Sequence, residues 1–284
     1  MSSVFNKLLS SLKSRGIKNT IFTIKDRTGF ETKCFLTSLK LNIKKFLLRS
    51  ELVINHGKYK FNFYGGGDRG EILYHAFWDK MFLEEMDKIN KYIKPGDTVI
   101  DIGGNLGFFI LLLNELVGPS GKIYSFEPSK ILKARLEATV KNNNLQNVNI
   151  LNLALGESDG VTTLHYNPKQ SGLTSIVTNF SEGSLSEEIT VTTLDKFSEQ
   201  IPNRVSFIKI DTEGYEPQVL KGSMELIIRD KPTIYIELGG EYQASSVVAL
   251  KILNELNYYC EAENLDLKTI PAGVNFIATP KKII

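Results

Sequence analysis

The amino-acid sequence predicts an α/β fold in which helices cover both faces of a mainly parallel β-sheet. From Asp97 onward, short apolar runs typical of buried strands alternate with longer stretches of helical periodicity. The connections between them are short, and this alternation is typical of parallel sheets that are covered on both faces. In such sheets ligands bind beyond the carboxyl ends of the strands, where the strand order reverses. A functional site is therefore expected at that edge.

Length and composition exclude several classes of protein. The chain has 284 residues, 42% apolar and 23% charged, which indicates one globular core domain with an added lobe. Cys34 and Cys260 are far apart, which excludes a disulfide framework and a cysteine-built zinc site and predicts a reducing compartment, the cytoplasm. No apolar run approaches the ~20 residues of a membrane span. Lys7 and Lys13 interrupt the region where a signal peptide needs an apolar stretch.

Charge is distributed unevenly along the chain. Residues 1–60 hold 13 lysines and arginines against 3 acidic residues, a net charge of +10, and the remaining residues have a net charge of −8. A basic lobe beside an acidic core indicates that the lobe meets an anion, such as a membrane surface, a phosphorylated carrier or a nucleic acid. Alternatively, these lysines only keep a small lobe soluble. Both interpretations stay open at this point.

Residues 1–64 are predicted to form a small α+β lobe. Val4, Leu8 and Leu12 recur near helical spacing and predict a short amphipathic helix. Strands are predicted over residues 20–24 and 32–37. A hairpin is predicted over residues 51–63, with its turn at His56 and Gly57.

Residues 65–95 are predicted to link the lobe to the core. Gly65, Gly66 and Gly67 predict a hinge, and a helix follows over residues 71–93, ended by Pro95 and Gly96. Tyr74, His75 and Trp78 on this helix either reach over the site as a lid or belong to the core. Together with Arg69 and with Glu213 of the core domain, His75 is a candidate for binding the acceptor substrate.

The core domain is predicted over residues 96–284. Its strands are expected at residues 98–101, 122–127, 148–155, 207–211, 233–238, 258–262 and 275–278. Its helices are expected at residues 105–117, 129–143, 216–228 and 245–257. Residues 156–194 interrupt the alternation with three further β-type runs, at residues 161–166, 173–177 and 189–193, and we interpret them as a β-rich insertion near the same edge.

The first core strand leads into a glycine-rich turn, VIDIGGNLG. Asp101 ends the strand, and Gly103, Gly104 and Gly107 form the turn, where glycine lets the backbone approach a ligand closely. The spacing differs from the Gly-x-Gly-x-x-Gly pattern of dinucleotide sites. A carboxylate suits an ammonium group better than a pyrophosphate. The turn therefore favours a ligand with a cationic amino acid end and no phosphate, a description that S-adenosylmethionine fits.

The next two strands add to this predicted cofactor site. Glu127 ends the second strand, 20 residues after Gly107, where an acidic side chain can accept hydrogen bonds from both ribose hydroxyls. Alternatively, its carboxylate caps the following helix. Paired with the glycine turn, ribose binding is the better interpretation. Ala154 and Leu155 on the third strand are then expected to wall the adenine ring.

The densest polar cluster is IKIDTEGYE, residues 208–216. Asp211 ends the fourth strand, Glu213 and Glu216 follow it, and Glu237 stands at the end of the fifth strand. Acidic side chains at neighbouring strand ends can act as a general base or bind a hard divalent cation such as Mg²⁺. Glu216 can instead start the next helix as a cap. An acidic rim would repel phosphates, so a nucleic acid partner is not expected.

The segments DIGGNLG, FEPS, LALGESDG, VTTLD and IKIDTEGYEPQVLKG, in this order, resemble the FkbM-type methyltransferases. The resemblance covers residues 96–238. It implies a Rossmann-like sheet of seven strands with the last antiparallel, and S-adenosylmethionine-dependent O-methylation, mostly of sugars and natural products. It also implies cofactor contacts at Asp101, Gly103, Asn105 and Glu127. The chain departs from the family pattern at Gly104, where Ala is usual, and at residues 239–240, where glycines replace a polar group.

Two rival functions share parts of this pattern. A nicotinamide-dependent oxidoreductase would use the same sheet and a glycine turn, but the glycine spacing argues against it. A membrane- or polyanion-binding module with a degenerate core would use the basic lobe. The intact set of Asp101, Glu127 and Asp211 argues against degeneracy.

Overall fold

The computed structural model describes residues 29–48, 52–64, 69–167, 170–176, 185–239, 242–271 and 273–281. In chain order the elements are α1 (Gly29–Leu48), β1 (Leu52–His56), β2 (Tyr59–Phe63), α2 (Arg69–Ile89), β3 (Thr98–Ile102), α3 (Phe108–Val117), β4 (Lys122–Phe126), α4 (Lys130–Asn142), β5 (Val148–Leu151), β6 (Ala154–Leu155), β7 (Gly160–Asn167), β8 (Gln170–Ser175), β9 (Leu185–Thr192), α5 (Leu194–Ser198), β10 (Val205–Ile210), α6 (Glu216–Lys221), α7 (Met224–Asp230), β11 (Thr233–Glu237), α8 (Gln243–Glu255), β12 (Tyr258–Cys260) and β13 (Asn275–Pro280).

The central sheet has seven strands in the order β12-β13-β11-β10-β3-β4-β5. The pairs β11–β10, β10–β3, β3–β4 and β4–β5 are parallel, whereas β13 runs antiparallel to both of its neighbours. The predicted fold class is therefore confirmed, including the antiparallel last strand. After β3 the chain proceeds outward through β4 and β5, and after β10 it proceeds in the other direction. The strand order thus reverses between β3 and β10, and their carboxyl ends open the cleft described below.

The apolar runs of the sequence form two layers of core, one on each face of the sheet. All five residues of β3 are buried, as expected for a strand covered on both sides. Helix α3 is apolar almost all round, and it lies between the sheet and α2. On that side Tyr74 stacks on Phe108 with ring centroids 4.6 Å apart, and Trp78 meets the same ring edge-on. These aromatics of α2 therefore belong to the core and do not form a lid.

The predicted insertion forms a second sheet of four strands, β6-β9-β7-β8. Its own small core consists of Ala154, Leu164, Ile189 and Val191. The third core strand, expected over residues 148–155, is divided between the two sheets, because β6 pairs with β9 and not with the central sheet. The Ser175 hydroxyl donates a 2.8 Å hydrogen bond to the Glu213 carbonyl, which holds the insertion against the loop after β10.

The helix expected over residues 216–228 is broken into α6 and α7. Gly222 lies at the break, and a Cβ there would lie 1.8 Å from the Gly156 carbonyl oxygen. The break therefore allows the chain to pass closely over the first residues of the insertion. The prediction for α2 is confirmed with shifted ends, and a turn of 3₁₀ helix follows it at residues 90–92.

The amino-terminal lobe confirms one prediction and overturns another. The hairpin forms as expected, from β1 and β2. Residues 32–37, expected as a strand, lie inside α1, because Leu41 on this longer helix packs against Leu52, Phe63 and Ile72. The helix predicted around Val4 to Leu12, the strand at residues 20–24 and the glycine hinge lie outside the described residues. In the part of the chain that is described, no helix has the length and apolar character that crossing a membrane requires.

Candidate functional site

A cleft opens at the carboxyl ends of β3, β4 and β10, where the strand order reverses. This is the usual place of ligand sites in open α/β sheets. The cleft is lined by Ile102, Gly103, Asn105, Phe126, Glu127, Pro128, Leu132, Leu153, Ala154, Leu155, Leu164, Ile176, Asp211, Thr212, Glu213 and Tyr215. Its apolar wall comes mainly from the central sheet and the insertion, and its carboxylates come from two different strand ends.

The glycine turn is held between two neighbouring strands. The amides of Gly103 and Gly104 donate to the Phe126 carbonyl at 3.0 and 3.1 Å. Gly103 has φ +86°, and a Cβ there would lie 2.0 Å from the Asp211 carbonyl oxygen, so only glycine fits against the loop after β10. Gly104 and Gly107 face away from the cleft, and a Cβ at either would lie 2.8 Å from the side chain of Leu136 on α4.

Glu127 lies at the end of β4 and is almost completely buried. Its two carboxylate oxygens accept hydrogen bonds from the backbone amides of Asn105, at 2.8 Å, and Ser129, at 2.9 Å. The Asn152 side-chain amide donates to the Glu127 carbonyl at 2.9 Å. Burial raises the pKa of Glu127 to about 7, although the two amides oppose this shift. Glu127 thus ties the glycine turn to the start of α4 and presents a carboxylate at the cleft.

Asp101, for which a contact with the cofactor ammonium group is predicted, is not among the residues that line the cleft. It is completely buried on β3. Its Oδ2 accepts a 3.0 Å hydrogen bond from the Ser125 hydroxyl, and its Oδ1 lies 3.4 Å from the Lys209 Nζ. The reason is its position on the strand, where its side chain points under the glycine turn toward neighbouring strands. The structure therefore gives Asp101 a supporting position.

Lys209 is the residue that the sequence interpretation missed. It is 4% exposed, and its Nζ lies 3.1 Å from the Asp211 Oδ2 and donates to the Gly103 carbonyl at 3.2 Å. Burial would lower its pKa, but the charges of Asp211 and Asp101 raise the pKa of Lys209 above its ordinary value. The available signal was a single lysine within the otherwise apolar end of β10, since a buried lysine almost always has partners.

Three carboxyl groups cluster beside Lys209. Single oxygens of Asp211, Glu213 and Glu237 all lie within 4.8 Å of one another. Burial and the charge of Asp211 raise the pKa of Glu237 to about 10 and that of Glu213 to about 8. Burial opposes ionisation of Asp211 too, but Lys209 and a hydrogen bond from Glu237 hold the pKa of Asp211 below its ordinary value. At neutral pH, Asp211 is therefore the ionised member and Glu237 carries a proton.

The loop after β10 shows which acidic residues hold the backbone. Glu216 accepts hydrogen bonds at its Oε1 from the Thr212 amide, the Thr212 hydroxyl and the Gly214 amide. Glu216 is the first residue of α6, and its carboxylate holds the preceding loop, which favours the structural interpretation of this residue. Glu213 has a positive φ of 53°, and Tyr242 donates a hydrogen bond to its carboxylate. In the family pattern a polar group follows the fifth strand, and this chain has glycines at residues 239–240 instead. Tyr242, two residues later, supplies a polar group near that position.

The remaining predicted residues are distributed as follows. Ala154 and Leu155 line the cleft, and their contact with an adenine ring stays a prediction. His75 is buried in the lobe instead: its Nε2 donates to the Asn62 carbonyl at 3.1 Å, and its Nδ1 lies 2.9 Å from the His56 Nε2. It is not among the residues that line the cleft. The side chain of Arg69 lies outside the described residues.

Several solved structures resemble this chain at low sequence identity. A methyltransferase FkbM from Methylobacillus flagellatus KT has 15% identity and a TM-score of 0.45, covering 73% of this chain and 52% of that one. A SAM-dependent O-methyltransferase from Thermotoga maritima has 15% identity and a TM-score of 0.42, covering 71% and 66%. A putative methyltransferase from Streptococcus mutans, in complex with SAH, has 10% identity and a TM-score of 0.44, covering 69% and 94%.

No curated protein matches the chain in sequence. The chain spans about half the length of the Methylobacillus structure. Residues 101–260 match the family described as the methyltransferase FkbM domain. The match begins at Asp101, before the glycine turn, and includes Glu127, Lys209, Asp211 and Glu237. Since it covers more than half of the 284 residues, this chain belongs to the FkbM methyltransferase family.

Proposed function

We propose that this protein uses S-adenosylmethionine to methylate a hydroxyl oxygen, and that the acceptor is a sugar or another glycan-type molecule. The observation that carries the proposal is an ionised carboxylate, Asp211, that lines the same cleft as the glycine turn. Glu127 presents a carboxylate to the same cleft from a different strand end. A donor between them would have its reacting group close to Asp211. The sugar class rests on the resemblance to the family.

The residues of the cleft fit the proposed donor. Glu127 would accept hydrogen bonds from the ribose hydroxyls, and the apolar side chains of Phe126, Leu132 and Leu153 would face the adenine ring. Gly103 keeps the turn free of a side chain. Since Asp101 is covered, the ammonium group of the donor would face the cleft-lining carboxylates of the loop after β10. When bound, S-adenosylmethionine supplies a methyl group on a positively charged sulfur.

In the proposed step, the acceptor oxygen forms a bond to the methyl carbon while the carbon–sulfur bond breaks and its electron pair stays on sulfur. The hydroxyl proton passes to the Asp211 carboxylate. The main contribution of the protein is to hold the acceptor oxygen in line with the methyl group and to exclude water. The insertion contributes Leu164 and Ile176 to the cleft wall, which limits access of solvent.

A magnesium ion is the alternative partner for the acidic cluster. Asp211 and Glu237, with Glu213, are near enough to share one cation, which would orient the acceptor hydroxyl and lower its pKa. The Lys209 ammonium, 3.1 Å from Asp211, already supplies a positive charge there. We therefore favour proton transfer to Asp211. Full activity after exhaustive chelation supports this version, whereas activity lost on chelation and restored by magnesium supports the metal.

Donor binding is tested by calorimetry with S-adenosylhomocysteine and NAD side by side. We expect binding of S-adenosylhomocysteine and none of NAD. The Glu127→Gln variant should bind at least about tenfold more weakly, because its amide NH₂ would face a backbone N–H that now donates to a carboxylate oxygen. Binding of NAD alone would instead support the oxidoreductase. If Asp211→Asn keeps near wild-type turnover, Asp211 acts neither as the proton acceptor nor as a magnesium ligand.

The acceptor is tested by mass spectrometry of glycans from cells with and without this protein. A mass difference of one methyl group on a glycan, reproduced by the purified enzyme, supports the sugar class. Methyl groups appearing only on non-glycan molecules would overturn it. A nucleic acid acceptor is not expected, because the ionised Asp211 carboxylate would repel phosphates at the cleft. A cytoplasmic location stays a prediction from the sequence, in which Cys34 and Cys260 lie far apart and form no disulfide framework.

A further inference from the structure

Helix α1 has one apolar face that the described part of the protein leaves exposed. Phe46 is 80% exposed, Ile43 52% and Leu36 50%. With the half-buried Leu39, these side chains recur at intervals of three, four and three residues, so they form one stripe along the helix. Scattered exposed apolar residues are ordinary, but four on one helix face form a patch that indicates an interaction surface.

This stripe is separate from the face that folds the lobe. The opposite side of α1 carries the buried Leu41, which packs against β1, β2 and α2. Lys45 also belongs to that side and donates to the Tyr64 carbonyl. The helix thus has two apolar faces, of which the lobe uses only one. The stripe is therefore not needed for the packing of α1 in the described residues.

The charge beside the stripe identifies the kind of partner. Lys40 and Lys44 are exposed and four residues apart, so they form a basic flank next to the stripe. The whole of residues 1–60 has a net charge of +10, whereas the rest of the chain has −8. An anionic surface would attract the lobe and repel the core. A second copy of this chain would bring the same lysines together in a symmetric contact, which opposes pairing through this face.

We propose that the exposed face of α1 docks the protein on the surface of anionic lipid membranes. Leu36, Ile43 and Phe46 would enter the boundary between headgroups and acyl chains, and Lys40 and Lys44 would contact the lipid phosphates. A helix with an apolar stripe and a basic flank binds such surfaces in the interface plane without crossing the bilayer. Docking would keep the core close to acceptors that are made on, or carried by, the same membrane.

The test is sedimentation of the full chain with vesicles of 70% phosphatidylcholine and 30% phosphatidylserine, compared with phosphatidylcholine alone. We expect binding to the anionic vesicles that is at least about tenfold stronger and that weakens steeply as salt rises. The variants I43D/F46D and K40E/K44E should each lose about tenfold or more of this binding. The matched control is I228D/V247D, which changes two exposed apolar side chains of the core, 60% and 58% exposed.

Each result decides the proposal. Wild-type binding lost in both α1 variants and kept in the control supports it. No binding of the wild type to anionic vesicles, or I43D/F46D binding as well as the control, overturns it. A dimer that only the α1 variants dissociate also overturns it, because a second copy then covers the stripe. The assay needs no methyl transfer, so its outcome is independent of the proposed function, and thermal unfolding followed by circular dichroism verifies that the variants are folded.

Discussion

Lys209 connects the two halves of the candidate site at the scale of single atoms. Its register partner on β3 is Asp101, whose partner on β4 is Ser125, so these side chains form a row across three strands. From this row the Lys209 ammonium also reaches Asp211 and the Gly103 carbonyl. One buried positive charge therefore joins the buried Asp101, the partly exposed Asp211 and the glycine turn. Because Lys209 and Asp101 are both removed from solvent, the arrangement depends on every member being present.

We predict that Lys209→Met destabilises the protein by about 3–5 kcal/mol, because it leaves the buried Asp101 and the partly exposed Asp211 without their cation. It should also weaken S-adenosylhomocysteine binding and raise the pKa of the group that controls turnover. Urea unfolding, calorimetry and a pH profile of the reaction measure these effects. Lys196→Met, which breaks an exposed ion pair with Asp159, is the control and should change none of them measurably. Equal stability of the two variants would contradict the role of Lys209.

At the scale of elements, the site depends on how closely two loops approach each other. The turn after β3 and the loop after β10 meet at Gly103, whose absent side chain leaves room for the Asp211 carbonyl. The insertion then holds the second loop through Ser175. The orientation of the acidic cluster toward the cleft is thus a property of backbone packing.

We predict that Gly103→Ala lowers stability by about 2–4 kcal/mol and abolishes S-adenosylhomocysteine binding, since the added methyl group meets backbone and the φ of +86° is unfavourable for alanine. Thermal unfolding and calorimetry provide the measurement. Gly160→Ala is the matched control, because nothing lies within 4 Å of the Cβ it adds at the start of β7. If the Gly103 variant binds normally, the close approach of the two loops is not needed for binding.

Another contact between elements joins the hairpin to α2 through two neutral histidines. The Asn62 carbonyl can only accept, so His75 carries its proton on Nε2 and accepts at Nδ1 from the His56 Nε2–H. Burial lowers the pKa of both His56 and His75 to about 4. The unfolded chain takes up these protons near pH 6.5, before the folded protein does. The pair therefore stabilises the fold above pH 6.5, and this contribution is lost as the pH falls toward 4.

We predict that His56→Phe reduces by about half the acid-dependent loss of stability that the pair causes between pH 6.5 and 4, because one of two titrating groups is gone. The phenyl ring can keep the stacking of His56 on Trp78. Urea midpoints measured across this pH range, with His165→Phe as the control on another sheet, test the prediction. If the pH dependence of stability is unchanged in His56→Phe, groups other than this histidine pair cause the loss of stability at acid pH.

At the scale of the whole molecule, the half-buried carboxyl groups of Glu213 and Glu237 change stability with pH in the opposite direction to the histidine pair. Glu237 and Glu213 keep their protons in the folded protein up to pH values of about 10 and 8, whereas the unfolded chain loses them near pH 4.5. Between these values the folded state binds more protons than the unfolded chain. The free energy of unfolding therefore falls as the pH rises through this window, so the molecule has stability limits on both the acid and the alkaline side.

We predict that Glu237→Gln reduces the loss of stability as the pH rises, because the amide resembles the protonated acid and can still donate a hydrogen bond to Asp211. The melting temperature of the wild type should fall between pH 6 and 9, and that of the variant should fall less. Glu188→Gln, at an exposed position of β9, is the control. If the variant loses stability with rising pH as steeply as the wild type, groups other than Glu237 cause that loss.

Much of this architecture is predictable from the sequence, because its signals are local. The strands of the central sheet are short apolar runs between turn residues, and β3, β4 and β10 each end in a recognisable acidic residue. Where long-range packing decides, the predictions were incomplete or wrong. Residues 32–37 belong to helix α1, whose Leu41 packs against the hairpin. Residues 148–155 are divided between two sheets, because β6 pairs with β9.

The sequence by itself determined the class of fold, the edge of the sheet where chemistry is expected and the family of the protein, because these depend on periodicity and on short segments of adjacent residues. Only the tertiary structure decided which carboxylates reach the cleft. Asp101 is covered and Asp211 is accessible because Lys209, from a strand about one hundred residues later in the chain, pairs with both. That pairing is electrostatic, and it requires β3 and β10 to lie side by side in the sheet. No local pattern in the sequence shows that these two strands become neighbours.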